Sequence, residues 1–278
     1  MAFFTSLTAS IIDKAVETTN SEDQEIYEIK AICQASPDAM PVLLQVFRDT
    51  STGKFLKEAA DMAAAGKSMR LQVTGIVQTV QAEKNDETQK ITKKSKLIVF
   101  VGAARRVQSD RKKDPEQAIV FGSGFVTPQH KDRHRTERKP ELYISCGTQS
   151  LTDTGEYCEG FRLRGDRAYQ TDETCLNMEE DREVYFMGDL HRRSGNFERE
   201  VNGKMMDTEW DNITAVVSFL QETDRVREKR STGKPRPISM TAQLADSFDE
   251  PDSDDSVMSS DDLCKQASVS LADFWWNT

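Results

Sequence analysis

Between residues 70 and 220 the chain runs through short β-branched stretches, several carrying a glycine: RLQVTGIVQTVQA, KLIVFVGAARRV, AIVFGSGFV, ELYISCG, REVYFMGDL and WDNITAVVSFL. In RLQVTGIVQTV, Leu71, Val73, Ile76 and Val80 flank Gly75. Period-two alternation over four to eight residues marks half-buried strands. Glycine inside a strand marks a bulge or a sharp bend, as at the corners of a small closed barrel. About six strands with turn-rich or charged connections are therefore expected.

The first 66 residues read differently. Thr5 or Thr8 can cap a helix through Ile11, Ile12 and Val16, and SEDQEIYEIKAICQ carries acids in what would be a first helical turn. Pro37 or Pro41 would open another helix, and KFLKEAADMAAAGK is Ala-rich and ends at Gly66. No internal repeat is visible. The expected class is α+β: a β-barrel core of five to six antiparallel strands, an N-terminal helical block and an acidic C-terminal tail. The expected divisions are a helical region over 1–66, a barrel over 67–222, a basic linker over 223–245 and a tail over 246–278 with the composition of disorder.

Charge is unevenly spread. The chain carries a formal net charge of −10. Residues 242–278 hold nine acids and one base, whereas residues 90–139 hold fourteen bases and five acids. Such asymmetry points to a polyanionic partner for the basic middle and to a tail that competes with that partner. Three basic segments bracket consecutive strands: KITKKSK with Lys93, Lys94 and Lys96; RRVQSDRKK with Arg105, Arg106, Arg111, Lys112 and Lys113; and HKDRHRTERK with Arg133 and Arg135. Each phosphate neutralised by such residues releases counterions.

Aromatic residues interleave with this charge. Single-stranded nucleic acid is held by a basic groove and by exposed rings on which bases stack. Phe121 and Phe125 around Gly-Ser-Gly are candidate stackers, as are Tyr157, Phe161 and Tyr169 beside Arg162, Arg164 and Arg167. Arg192 and Arg193 in GDLHRRSG are further candidate phosphate contacts.

Other chemistries find little support. His130 and His134 with Cys146, Cys158 and Cys175 lack C-x-x-C spacing, so no metal or other cofactor is expected. There is no G-x-x-x-x-G-K-[ST], no G-x-S-x-G and no H-E-x-x-H, and the expectation is a non-enzyme. No stretch reaches the ~18–20 apolar residues of a membrane span, and the start has no basic n-region. With an odd count of five cysteines, the reading is a cytoplasmic protein, in the host cytoplasm if viral.

A β-rich body with basic loops and aromatics, then a basic linker and an acidic tail ending in apolar residues, resembles the single-stranded DNA-binding proteins, particularly those of bacteriophages. RLQVTGIVQTV and VYFMGDLHRRSGNFEREVNGKMMDTEWDNITAVVSFL carry the resemblance to strands near the two ends of an OB barrel. The resemblance implies an OB-fold that coats and protects single-stranded DNA, or RNA, during replication, recombination or repair. It also implies a tail that recruits partner proteins and shields the groove. Leu271, Phe274, Trp275 and Trp276 would be the tail's apolar anchor, on another protein, another copy of the chain or the chain itself. The alternative is a viral structural or transcription-regulatory interaction protein that works mainly through this tail.

Overall fold

Alternation rather than capping decides the N-terminal quarter. In FFTSLTASI, Phe3, Thr5, Leu7, Ala9 and Ile11 are buried, with Phe4, Ser6 and Ser10 less so. In EIYEIKAIC, Tyr27, Ile29, Ala31 and Cys33 are buried around Glu28, Lys30 and Ile32. These are strand patterns, and the expected N-terminal helices are corrected to strands. In the computed structural model, which describes residues 3–20, 23–36, 38–107, 116–126, 141–145, 161–201 and 203–226, the first half contains β1 (Phe3–Ile11), β2 (Val16–Thr19), β3 (Glu25–Cys33), β4 (Met40–Phe47), α1 (Ser51–Ala64), β5 (Met69–Val80), β6 (Glu83–Lys84), β7 (Ile91–Lys93) and β8 (Lys96–Arg106). The second half contains β9 (Ala118–Val126), β10 (Glu141–Ser145), β11 (Phe161–Gly165), α2 (Thr171–Asn177), β12 (Arg182–Val201) and β13 (Lys204–Val226). Of the expected helices only α1 remains. Thr50 caps it, accepting from the Gly53 amide, and it buries Leu56, Ala59 and Ala60.

Eleven strands form one sheet in the order β10-β11-β13-β12-β9-β1-β5-β8-β4-β3-β2. The sheet as a whole is not one closed barrel. Two extra pairings fold it back locally: β1 with β3 at Ser10–Ile32 and Ile11–Ala31, and β9 with β10 at Val126–Ile144 and Phe125–Ser145. One ring runs β1-β5-β8-β4-β3 and the other β9-β12-β13-β11-β10. Each has one parallel contact, β4–β8 in the first and β11–β13 in the second, and a helix between its third and fourth strands. Each is thus a five-stranded, OB-like ring. One barrel over 67–222 was expected. The structure has two rings, over 3–106 and 118–226, and the repeat that the sequence hides is one of topology.

The rings share a seam. The first residues of β1 pair antiparallel with β9, from Phe3–Gly122 to Leu7–Ala118. Phe3 thereby leaves its own ring and packs edge-on against Phe161 at 5.1 Å and Phe186 at 5.8 Å. The first interior is built from residues such as Leu7, Ile29, Leu44, Val73 and Val99, the second from Val120, Ile144, Phe161, Leu163, Ala215 and Val217.

The glycines inside strands do mark bends. In both rings the register shifts by one residue where the fourth strand meets the fifth: at Thr74/Gly75 against β8, and at Met187/Gly188 against β13. There the backbones come too close for a side chain. A Cβ on Gly75 would lie 2.1 Å from the Phe100 carbonyl oxygen, and one on Gly188 would lie 2.4 Å from that of Val216. Gly102 has room, with its nearest neighbour at 3.8 Å. Gly75→Ala and Gly188→Ala should each lose about 1–3 kcal/mol in urea unfolding, whereas Gly102→Ala should stay within about 0.5 kcal/mol of wild type.

Candidate nucleic-acid interface

Residues directly opposite one another on paired strands share a face. In the second ring Leu163, Ala215 and Leu190 are buried, so their neighbours point out of the ring. Arg162, one residue before the Leu163–Ala215 pair, and His191, opposite Thr214, lie on one side of that pair, and the row Arg164, Val216, Asp189 lies on the other. Arg193, exposed and opposite Asn212, continues the row of outward positions on β12. Burial holds the His191 imidazole below its ordinary pKa; the nearby Arg193 and Arg164 add to this and Asp189 opposes it. Around the imidazole the patch groups the guanidiniums of Arg193 and Arg164 with the carboxylates of Asp189 and Asp166. Tyr169, 49 % exposed, stands in a short 3-10 turn (Arg167–Tyr169) just after β11. Asp166 caps that turn by accepting from the Ala168 amide at 2.8 Å.

Of the expected contacts, the structure brings Arg162, Arg164 and Arg193 to this face. Phe121 and Phe125 lie on the outward side of β9, both partly exposed, and Phe121 stacks on Phe4 with centroids 5.8 Å apart. The two basic stretches around β8 fall at opposite ends of that strand, about 30 Å apart at strand rise. Lys93, Lys94 and Lys96 stand at one end, Lys93 paired with Glu83 at 3.0 Å. Arg105 and Arg106 stand at the other, where Arg105 donates to the Gln72 side-chain Oε1.

Two expectations are corrected. Phe161 is fully buried: in FRLRG the alternation turns Phe161 and Leu163 inward and both arginines outward, so its polar neighbours mark the opposite face. Arg192 is not a phosphate contact. Its guanidinium grips Asp211 through two hydrogen bonds of 2.9 and 3.0 Å and donates to the Ala39 carbonyl at 2.7 Å. Asp211 also accepts from the Ser95 amide, and the Arg192 backbone exchanges hydrogen bonds with the Ser36 hydroxyl. The cluster bolts the β12–β13 arm to the first ring. It also places the Lys90–Lys96 segment beside the arm that carries Arg193, with Ile91 donating to Glu209.

Arg111, Lys112, Lys113, Arg133, Arg135, Tyr157, Leu271, Phe274, Trp275 and Trp276 lie outside the described residues, as do His130, His134, Cys146 and Cys158. Among the described residues no cluster could hold a metal, and no helix is long and apolar enough to cross a membrane. Cys33 and Cys175 are buried thiols, which burial pushes up to about 11 and about 12. Sequence reasoning did not single out the exposed Phe4 and Phe219. The alternation of β1 and β13 was the signal that places them outward.

No known protein-family description matches the chain, and no curated protein matches it. Among solved structures it is similar to crystal structures of the single-stranded DNA binding protein from Thermus aquaticus. The wild-type structure is 11 % identical with a TM-score of 0.45, over 84 % of this chain and 98 % of that one. A deletion mutant is 9 % identical with a TM-score of 0.47, over 82 % and 98 %.

The two adjacent arginines are expected to behave oppositely. Arg192→Ala strands Asp211 in the interior and should cost about 3–5 kcal/mol of unfolding free energy. Arg193→Ala should leave stability within about 0.5 kcal/mol.

Proposed function

We propose that the chain is a non-catalytic single-stranded DNA-binding protein whose contact surface is centred on the second ring. The observation that carries this is the outward grouping of Arg162, Arg164 and Arg193 on β11 and β12, with the exposed ring of Tyr169 just beyond β11. Among the described residues, the first ring carries no such pair of arginines on its matching strand. Its third strand, β4, turns Pro41, Leu43 and Phe47 outward, and Gln45, the next outward position, is buried and donates to Glu28 at 2.8 Å. The guanidiniums would meet phosphates, and the ring would stack on a base, with little sequence preference. The basic segments 108–113 and 130–139, which follow β8 and β9 in the sequence, would add cations. In this reading the protein coats and protects the strand in replication or recombination. The acidic tail competes for the basic surface, and its aromatic end engages partner proteins.

Fluorescence titration with oligo-dT over a range of salt concentrations tests the reading. Affinity should fall steeply with salt. Each of Arg162→Ala, Arg164→Ala and Arg193→Ala should reduce the log–log slope by about 0.7, the single-strand value per phosphate contact. Deleting residues 246–278 should tighten binding at low salt. Absence of binding at low salt, or binding indifferent to salt, would defeat the proposal.

A further inference from the structure

One group on the arginine-bearing face has the wrong charge for a phosphate. Asp189 is exposed on β12 and points outward, two residues before His191. It lies directly opposite Val216 on β13 and Ile119 on β9, and Arg164 follows in the same row beyond Val216. Both apolar neighbours are only partly buried. Among the described residues, Asp189 makes no hydrogen bond or ion pair within the protein, and neither does Arg164 or Arg193. Yet all three act on the His191 imidazole, so they share one locality without neutralising one another. Asp166 acts on the same imidazole but is already engaged, capping the turn that carries Tyr169. Thr171 ties that turn to β13 by donating to the Val217 carbonyl at 2.8 Å, which holds it beside the Val216–Asp189 pair.

We propose that Asp189 reads the edge of one base in the bound strand, and that this position favours guanine over thymine. The inference rests on the single-stranded DNA reading above and adds to it a preference at one nucleotide. Phosphate contacts position a strand, and contacts to base edges specify it. An ionised carboxylate only accepts hydrogen bonds. A phosphate also only accepts, so Asp189 repels it and cannot serve the role of its arginine neighbours. What a carboxylate fits is a pair of adjacent donors. Guanine offers N1–H and N2–H side by side on the edge that a single strand leaves unpaired. Thymine offers one N3–H between two carbonyl oxygens, which face a carboxylate badly. Cytosine and adenine fall between, each with one amino group beside a ring-nitrogen acceptor. Arg164 and Arg193 on either side supply the flanking phosphates with cations, which is why one anion is tolerated there. Val216 and Ile119 flank the carboxylate along its row with apolar surface, which limits competition from water for its hydrogen bonds.

Competition for a fluorescein-labelled oligo-dT tests this in the full chain, with wild type, Asp189→Asn and Asp189→Ala. The competitors are unlabelled oligo-dT and a TTG repeat, each about 12 nucleotides long. The repeat keeps its guanines apart and so unstructured. Wild type should bind the repeat about tenfold tighter than oligo-dT, the discrimination of one bidentate contact. That ratio should hold as salt rises, because both competitors carry the same phosphates. In both variants the ratio should fall to within about twofold, and oligo-dT should bind more tightly because an anion has left the face. Both should keep the wild-type urea midpoint, since the side chain is exposed and unpaired. Equal binding of the two competitors by wild type overturns the proposal and leaves DNA binding intact. Variants that tighten both competitors equally, with the ratio unchanged, overturn it too, since Asp189 would then act only as a charge. A wild type that binds neither overturns this inference together with the functional reading.

Discussion

The short antiparallel pairing between β1 and β9 sets the terms for the rest of the molecule. A strand has two edges, and β1 gives one to β5 along almost its whole length. It divides the other, Phe3 to Leu7 for β9 and Ser10–Ile11 for β3. The first ring therefore closes on only two residue pairs, and Phe3 is left to fill part of the second ring's interior. Both features follow from a single backbone ladder, and so does the continuity of the outer face from β8 to β13.

Inward and outward assignments then decide what each residue can do. Leu163 and Ala215 hold Arg162 and Arg164 outward, and the same alternation buries Phe161. Beyond the ring's interior, the inward side of the β12–β13 arm faces the β3–β4 turn of the first ring. That is why Arg192 closes on Asp211 while Arg193, one residue later, faces solvent. Charge alone could not separate the two.

Much of this was legible and some was not. The strands from residue 69 onward follow from β-branched runs, and Gly75 and Gly188 were readable as bends because few other reasons put glycine there. The N-terminal strands were hidden by local signals that favour helix. SEDQE looks like an acidic first turn, yet Tyr27, Ile29, Ala31 and Cys33 keep a period of two. The repeat was invisible because corresponding positions share a burial pattern, not residue identities: Leu43 and Gln45 on β4 stand where β11 has Arg162 and Arg164. Phe4 and Phe219 lie far apart in sequence and fall in one row only through the register of three strand pairings, Phe4–Phe121, Phe121–Met187 and Met187–Phe219.

The middle of the seam, Thr5 opposite Val120, is nearly a point of symmetry. Aligning β1 with β9 from their first residues maps the pairing onto itself. Two separate identical strands meeting this way would have to accept every substitution twice, once on each side. Here both sides belong to one chain, and the covalent link holds them at a local concentration that dilution cannot change. Each side can thus drift alone. Phe4 faces Phe121 on one side of the centre, and Ser6 faces Ile119 on the other. The same licence lets β11 carry Arg162 and Arg164 where β4 keeps Leu43 and Gln45. Fusion turns an obligate symmetry into a division of labour.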